Sequence, residues 1–142
     1  MTQPRSADKK KILVVEDHPV FRAMLVQLIE NELEMAVCGQ ADNTRDAMTL
    51  IEQTLPDAAI VDLTLRESSG LELIEDLRRR HNRLPVLILS MHTELLYAQR
   101  VRQAGARGYI AKEESPATVV KAIRQVMAGG IYFSEGVNRQ VG

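Results

Sequence analysis

Asp62 closes a segment that is otherwise built for burial, A-I-V-D-L-T-L over 59–65. An ionised carboxylate there loses solvation, which is costly unless a cation or hydrogen bonds compensate it. The same pattern recurs: polar groups follow short, branched apolar runs. Glu16 and Asp17 follow Lys11-Ile12-Leu13-Val14-Val15, Ser90 follows Val86-Leu87-Ile88-Leu89, and Lys112 follows Gly108-Tyr109-Ile110-Ala111. Three carboxylates brought together repel one another unless a cation joins them. An all-oxygen donor set without histidine or cysteine favours magnesium over zinc. A lysine ammonium can pair with Asp62 or with an incoming anion, and the serine offers a hydroxyl donor. An oxyanion with several equatorial oxygens engages all of these groups at once, which is the equipment of phosphoryl transfer. A carboxylate can also be the nucleophile and form an aspartyl phosphate. Asp62 is therefore the candidate phosphoryl acceptor.

These residues act together only if the chain brings them together. The three runs above, with 58–61 and Met35-Ala36-Val37-Cys38-Gly39, read as five strands. Helical patterns lie between them. Pro19 suits the first position of a helix over about 19–32, striped by Val20, Phe21, Met24, Leu25, Leu28 and Ile29. Asn43-Thr44 can cap a second helix carrying Ala47, Met48, Leu50 and Ile51, stopped by Pro56-Asp57. After Gly70 a third is striped by Leu71, Ile74 and Leu77, and its closing Arg78-Arg79-Arg80-His81 suits the negative end of the helix dipole. The helix predicted over 94–104 is only weakly amphipathic, with Leu96, Val101 and Ala104 as its apolar points and Gly105 as its cap. Ser115-Pro116 opens the last helix, with Val119, Val120, Ile123, Val126 and Met127 facing inward and Gly129-Gly130 ending it. Five strands alternating with five helices predict a parallel sheet covered on both faces, with a doubly wound order as the leading topology. In such sheets the site lies outside the carboxyl ends of the strands. Glu16, Asp17, Asp62, Ser90 and Lys112 all fall there.

Taken singly, each residue has a plainer reading. Asp17 or His18 can cap a helix, Ser90 can be a loop hydroxyl, and Lys112 a solvated lysine; their joint placement favours a site. The 142 residues, 45% hydrophobic and 26% charged, fit one compact domain. A net charge of −1 argues against a strongly basic nucleic-acid surface. No apolar run is long enough to cross a bilayer. The start M-T-Q-P-R-S-A-D-K-K-K lacks the apolar core of a signal peptide, and 1–9 reads as a disordered polar leader. The single cysteine, Cys38, reads as a small buried hydrophobe, has no partner for an internal disulfide, and suggests a cytoplasmic protein.

The segments V-V-E-D-H-P-V-F-R, V-D-L-T-L-R-E-S-S-G-L-E-L, L-I-L-S-M-H and G-A-R-G-Y-I-A-K-E-E-S-P resemble, in order and spacing, those of the receiver domain of two-component response regulators. The resemblance covers about 10–130. It implies a flavodoxin-like (βα)5 fold whose five-stranded parallel sheet has the order 2-1-3-4-5. It also implies that a sensor histidine kinase phosphorylates Asp62 in a Mg2+-dependent reaction. Glu16, Asp17 and Asp62, with the backbone carbonyl of Thr64, would hold the Mg2+. Ser90 would be the switch hydroxyl, Lys112 would bind the phosphoryl group, and Tyr109 would turn inward when Ser90 moves. E-D-H-P, G-A-R-G-Y and A-G-G-I-Y-F-S further resemble the NarL/FixJ (LuxR-type) transcription regulators. That implies a helix-turn-helix DNA-binding domain beyond this chain, with 131–142 as the start of the linker to it, and homodimerisation with phosphorylation as a candidate trigger. No membrane partner is expected. The apolar stripes of the first and last helices read as core, with a dimer face as the alternative.

There are departures from the family pattern. Glu16 stands where an aspartate is usual, keeping the charge but lengthening the reach. Arg66 stands where many receivers have proline, and Arg66-Glu67 read as solvated loop residues, as does His92. Two other readings compete. A phosphatase of the aspartyl-phosphate kind would need a second aspartate two residues past Asp62, where this chain has Thr64, and no G-x-x-x-x-G-K loop is present. A phosphorylation-independent pseudo-receiver usually lacks the acceptor, the lysine or the acidic pair, and this chain keeps all three.

Overall fold

The computed structural model describes residues 8–91 and 95–133. His92, the side chain of Leu96, most of the leader and most of the expected linker lie outside the described residues. Branched side chains pack well on a pleated sheet, and each predicted run forms a strand. In chain order the elements are β1 (Lys10–Val15), α1 (Pro19–Glu30), β2 (Met35–Ala41), α2 (Thr44–Thr54), β3 (Ala58–Asp62), β4 (Thr64–Leu65) and β5 (Ser68–Ser69). They continue with α3 (Gly70–Arg79), β6 (Val86–Ser90), α4 (Leu95–Ala104), β7 (Gly108–Ala111), α5 (Pro116–Met127) and β8 (Tyr132–Phe133).

The main sheet is parallel throughout, in the order β2-β1-β3-β6-β7-β8. Its first five members reproduce the expected 2-1-3-4-5 order. The sheet has six strands rather than five, because Tyr132 and Phe133 pair with Gly108 and Tyr109. Gly108 makes this approach fit: a Cβ there would lie 2.8 Å from the Tyr132 carbonyl oxygen and 2.4 Å from Leu87 Cδ1. A separate two-stranded hairpin joins β4 to β5, turning through Arg66 and Glu67.

Successive strand residues point to opposite faces, so each buried strand feeds two cores. Leu13, Val15, Ala59, Val61, Val86 and Ile88 pack with α2, α3 and α4 on one face. Ile12, Val14, Ala58, Ile60, Leu87, Leu89 and Ile110 pack with α1 and α5 on the other. The α5 stripe is core: Val119, Val120, Ile123 and Val126 are buried. The α1 stripe is narrower than expected. Leu25 and Ile29 are buried, but Val20 and Met24 are exposed. At about 100° per residue Val20 lies about 140° round the helix from Leu25, so a helix seated on Leu25 turns Val20 outward. The capping chemistry is as expected. His18 Nδ1 accepts the Phe21 N–H at 3.2 Å, and the Asn43 and Ser115 side chains cap α2 and α5.

Leu55 closes α2 in a left-handed conformation, φ 49, with its side chain exposed to solvent. Cβ sterics oppose that conformation and burial returns little. Leu55→Gly is expected to raise the unfolding free energy by about 1 kcal/mol, read as a higher urea midpoint at unchanged slope. A lower midpoint would contradict this.

Candidate functional site

The parallel ladder carries the chemistry-bearing residues to one edge and fixes their backbones there. The Glu16 N–H donates to the Ala41 carbonyl at 2.9 Å, the Leu63 N–H to that of Leu89 at 2.8 Å, and the Lys112 N–H to that of Ser90 at 2.9 Å. Asp62 pairs with Leu89, and Ser90 with Ala111, in adjacent registers. Strand ends on β1, β3, β6 and β7 therefore converge, as in other open α/β sheets.

Lys112 joins the carboxylates. Its Nζ donates to Glu16 Oε1 at 2.6 Å and to Asp62 Oδ2 at 2.9 Å. The Glu16 side chain is 1% exposed and that of Asp62 8%, so both anions are largely out of water. Asp62 Oδ1 accepts the Thr64 N–H at 3.2 Å, which turns the chain sharply after β3. Ser90 is buried at the end of β6. Asp17 is half-buried, and one oxygen each from Glu16, Asp17 and Asp62 lie within 4.8 Å of one another. Tyr109 is fully buried, its ring stacked 6.5 Å from Phe133. Glu16, Asp17, Asp62, Thr64, Ser90 and Lys112 thus lie at the carboxyl edge, with Thr64 exposed, whereas Tyr109 is the second residue of β7 and lies within the core.

Burial pushes the Glu16 carboxyl up to about 7; the Asp62 carboxylate adds to the rise and the Lys112 ammonium opposes it. For Lys112, burial works against the charge, but the Glu16 and Asp62 carboxylates outweigh it and raise the pKa above the ordinary lysine range. Glu16 Oε2 is buried and has no hydrogen-bond partner among the described residues. An unpartnered buried carboxylate oxygen, within a cluster of hard oxygen donors, is what a small divalent cation would satisfy. The donor set fits a metal.

Two side chains in the first turns of α1 belong to this neighbourhood although their residue types did not announce it. Arg22 Nη1 donates to the Glu16 carbonyl at 2.9 Å, tying the helix to the acidic segment. The Phe21 ring lies under the Lys112 ammonium, with Nζ 4.6 Å from its centroid. The available signal was Pro19 at the helix start, which puts the next turn at the carboxyl edge. Gly70 is a third. A Cβ there would lie 2.7 Å from the Asp62 carbonyl oxygen, and its N–H donates to the Leu63 carbonyl at 2.8 Å.

The chain belongs to the response regulator receiver domain family, whose model matches residues 12–124. It is 35% identical over 130 residues to the transcriptional activator protein ExaE of Pseudomonas putida, covering 92% of this chain and 61% of that protein. Its fold matches a LuxR-family two-component response regulator from Aurantimonas sp. SI85-9A1 with a TM-score of 0.89 and 32% identity, covering 94% of this chain and 95% of that one. It also matches the signal receiver domain of the putative response regulator NarL from Mycobacterium tuberculosis, TM-score 0.82 and 30% identity, covering 86% and 98%. The relatives are LuxR-type response regulators, which are signalling proteins rather than turnover enzymes. This chain spans about three fifths of the length of the curated relatives it matches. Among the described residues no helix is long and apolar enough to cross a membrane.

Two outcomes follow from this geometry. Gly70→Ala should cost about 1–3 kcal/mol by overpacking and should shift the backbone amide resonances of Asp62 and Leu63; unchanged stability and spectra would contradict the close approach. Glu16 holds its proton more tightly folded than unfolded, so its contribution lowers stability as pH rises from 4.5 through about 7. In metal-free buffer, Glu16→Gln should therefore gain stability relative to the parent on going from about pH 5.5 to about pH 8. A constant difference in urea unfolding would contradict it.

Proposed function

We propose that this chain is the phosphorylation switch of a LuxR-type response regulator. Asp62 accepts a phosphoryl group from the phosphohistidine of a sensor histidine kinase, and the change controls an attached helix-turn-helix DNA-binding domain. The observation that carries this reading is the Lys112 ammonium held between Glu16 and Asp62 at the carboxyl edge of the sheet. A lysine so placed is poised to exchange a carboxylate oxygen for a phosphoryl oxygen.

Mg2+, held by Glu16, Asp17 and Asp62 with the Thr64 backbone carbonyl, would supply charge neutralisation for the transferred group. The chain's own residues do the rest. An Asp62 carboxylate oxygen attacks phosphorus, the phosphorus–nitrogen bond breaks, and its electron pair leaves on the kinase imidazole. The product is an acyl phosphate. Lys112 turns a donor from carboxylate to phosphoryl oxygen, and the Ser90 hydroxyl donates to another. Ser90 and Tyr109 sit on adjacent strands, and Tyr109 stacks on Phe133 of β8, which supports a readout passed to the segment that follows α5. Modification need only bias two states that already exist. The working form is cytoplasmic and dimerises in step with phosphorylation; Val20 and Met24 on α1 are exposed apolar side chains available to such a contact.

Incubation with Mg2+ and acetyl phosphate should add a single phosphoryl group to the intact mass. Asp62→Asn, or chelation of the metal, should abolish the addition. Failure of both acetyl phosphate and a cognate kinase to modify the parent would instead make this chain a phosphorylation-independent interaction module.

A further inference from the structure

We infer that Phe21 is a positioning residue for phosphoryl transfer: its ring holds the Lys112 ammonium in place while the lysine's carboxylate partners change. The inference rests on the phosphoacceptor reading above. An ammonium has three donors, and two of them point to Glu16 Oε1 at 2.6 Å and Asp62 Oδ2 at 2.9 Å. The Phe21 ring covers another side of the same cation, with Nζ 4.6 Å from the ring centroid. That distance lies within the range in which the negative face of an aromatic ring attracts a cation. The lysine side chain is only 13% exposed, so little water competes for it.

The ring is itself held. Phe21 packs against the core on the α1 and α5 side of the sheet. Its own N–H donates to His18 Nδ1 at 3.2 Å, and the adjacent Arg22 ties the same helical turn to the Glu16 carbonyl at 2.9 Å. Two hydrogen bonds thus tether the helical turn that carries the ring to His18 and to the acidic segment.

Phosphorylation disturbs every other partner of the ammonium. Asp62 becomes an acyl phosphate and loses carboxylate charge at the oxygen that bonds phosphorus. Glu16 shares its charge with a metal once one binds, through the Oε2 that has no hydrogen-bond partner among the described residues. The ring carries no charge to lose and needs no change of partner, so it keeps the ammonium close to Asp62 through the exchange. A leucine at this position would fill similar apolar space but has no aromatic face.

The test compares the parent with Phe21→Leu and Phe21→Tyr, using beryllofluoride with Mg2+ as the phosphoryl mimic and acetyl phosphate as the donor. Phe21→Leu should bind beryllofluoride about 3- to 30-fold more weakly. It should phosphorylate more slowly in the kcat-like term, with the donor's half-saturation concentration and the Mg2+ affinity nearly unchanged. Phe21→Tyr, which keeps the ring, should restore both. Independently of phosphorylation, the ε-methylene protons of Lys112 should resonate upfield in the parent and in Phe21→Tyr, and lose that ring-current shift in Phe21→Leu. Equal beryllofluoride affinity and rate in Phe21→Leu and the parent would overturn the positioning role and leave the phosphoacceptor reading intact. So would equal losses in the leucine and tyrosine variants, which would mark a packing role only. A parent that takes neither beryllofluoride nor phosphate would overturn both.

Discussion

One shared ammonium ties the functional edge of this sheet together. Lys112 follows β7, Glu16 follows β1 and Asp62 ends β3, so a single cation links segments 96 and 50 residues away in sequence. Two nearly dry carboxylates side by side would repel each other strongly without it. Removing one partner of such a cluster leaves uncompensated buried charge, which usually costs more than the intact arrangement contributes. The edge is thus held by a group that an incoming phosphoryl oxygen would compete for. On the proposed reading, stability and chemistry would draw on the same ammonium.

The surrounding backbone is held independently of these side chains. The hydrogen-bond ladder reaches past the last strand residues to Glu16, Leu63 and Lys112, which fixes the main chain there. Gly70 lets α3 start against the Asp62 carbonyl, and the Thr64 N–H holds one oxygen of the Asp62 carboxylate. On the far side of β6, the aromatic pair forms a second junction. Phe133 stacks on Tyr109, and the Arg102 guanidinium of α4 lies 5.3 Å from its centroid. A side-chain shift at Tyr109 therefore meets α4 and β8 through one ring, because a close-packed core transmits a displacement instead of absorbing it.

Much of this was legible in the residues. The strands announce themselves as short apolar runs, and four of the five lead into a candidate polar group, so Glu16, Asp62, Ser90 and Lys112 could be placed at one edge before any coordinates. What was not legible depends on tertiary context. Strands buried on both faces show no alternation, so the division of Leu13 and Val15 from Ile12 and Val14 between two cores is invisible. The stripe on α1 was read too wide because apolar type alone does not say that Val20 faces water. Tyr132-Phe133 is too short to carry a period, and its pairing depends on the missing side chain of Gly108. Phe21 was read as a core residue, and it is one in part; a phenylalanine against a methylene and one against an ammonium look the same in sequence.

The central claim is that the carboxylate of Asp62, rather than either of its acidic neighbours, becomes the acyl phosphate. Borohydride reduction tests this directly, because it converts an acyl phosphate to an alcohol and so leaves homoserine where a phosphoaspartate stood. Protein phosphorylated by a small donor, reduced and mapped by peptide mass should contain homoserine at Asp62 and at no other aspartate. A reduced residue at Glu16 or Asp17, or phosphate in the protein with no reduced residue at Asp62, would contradict the account.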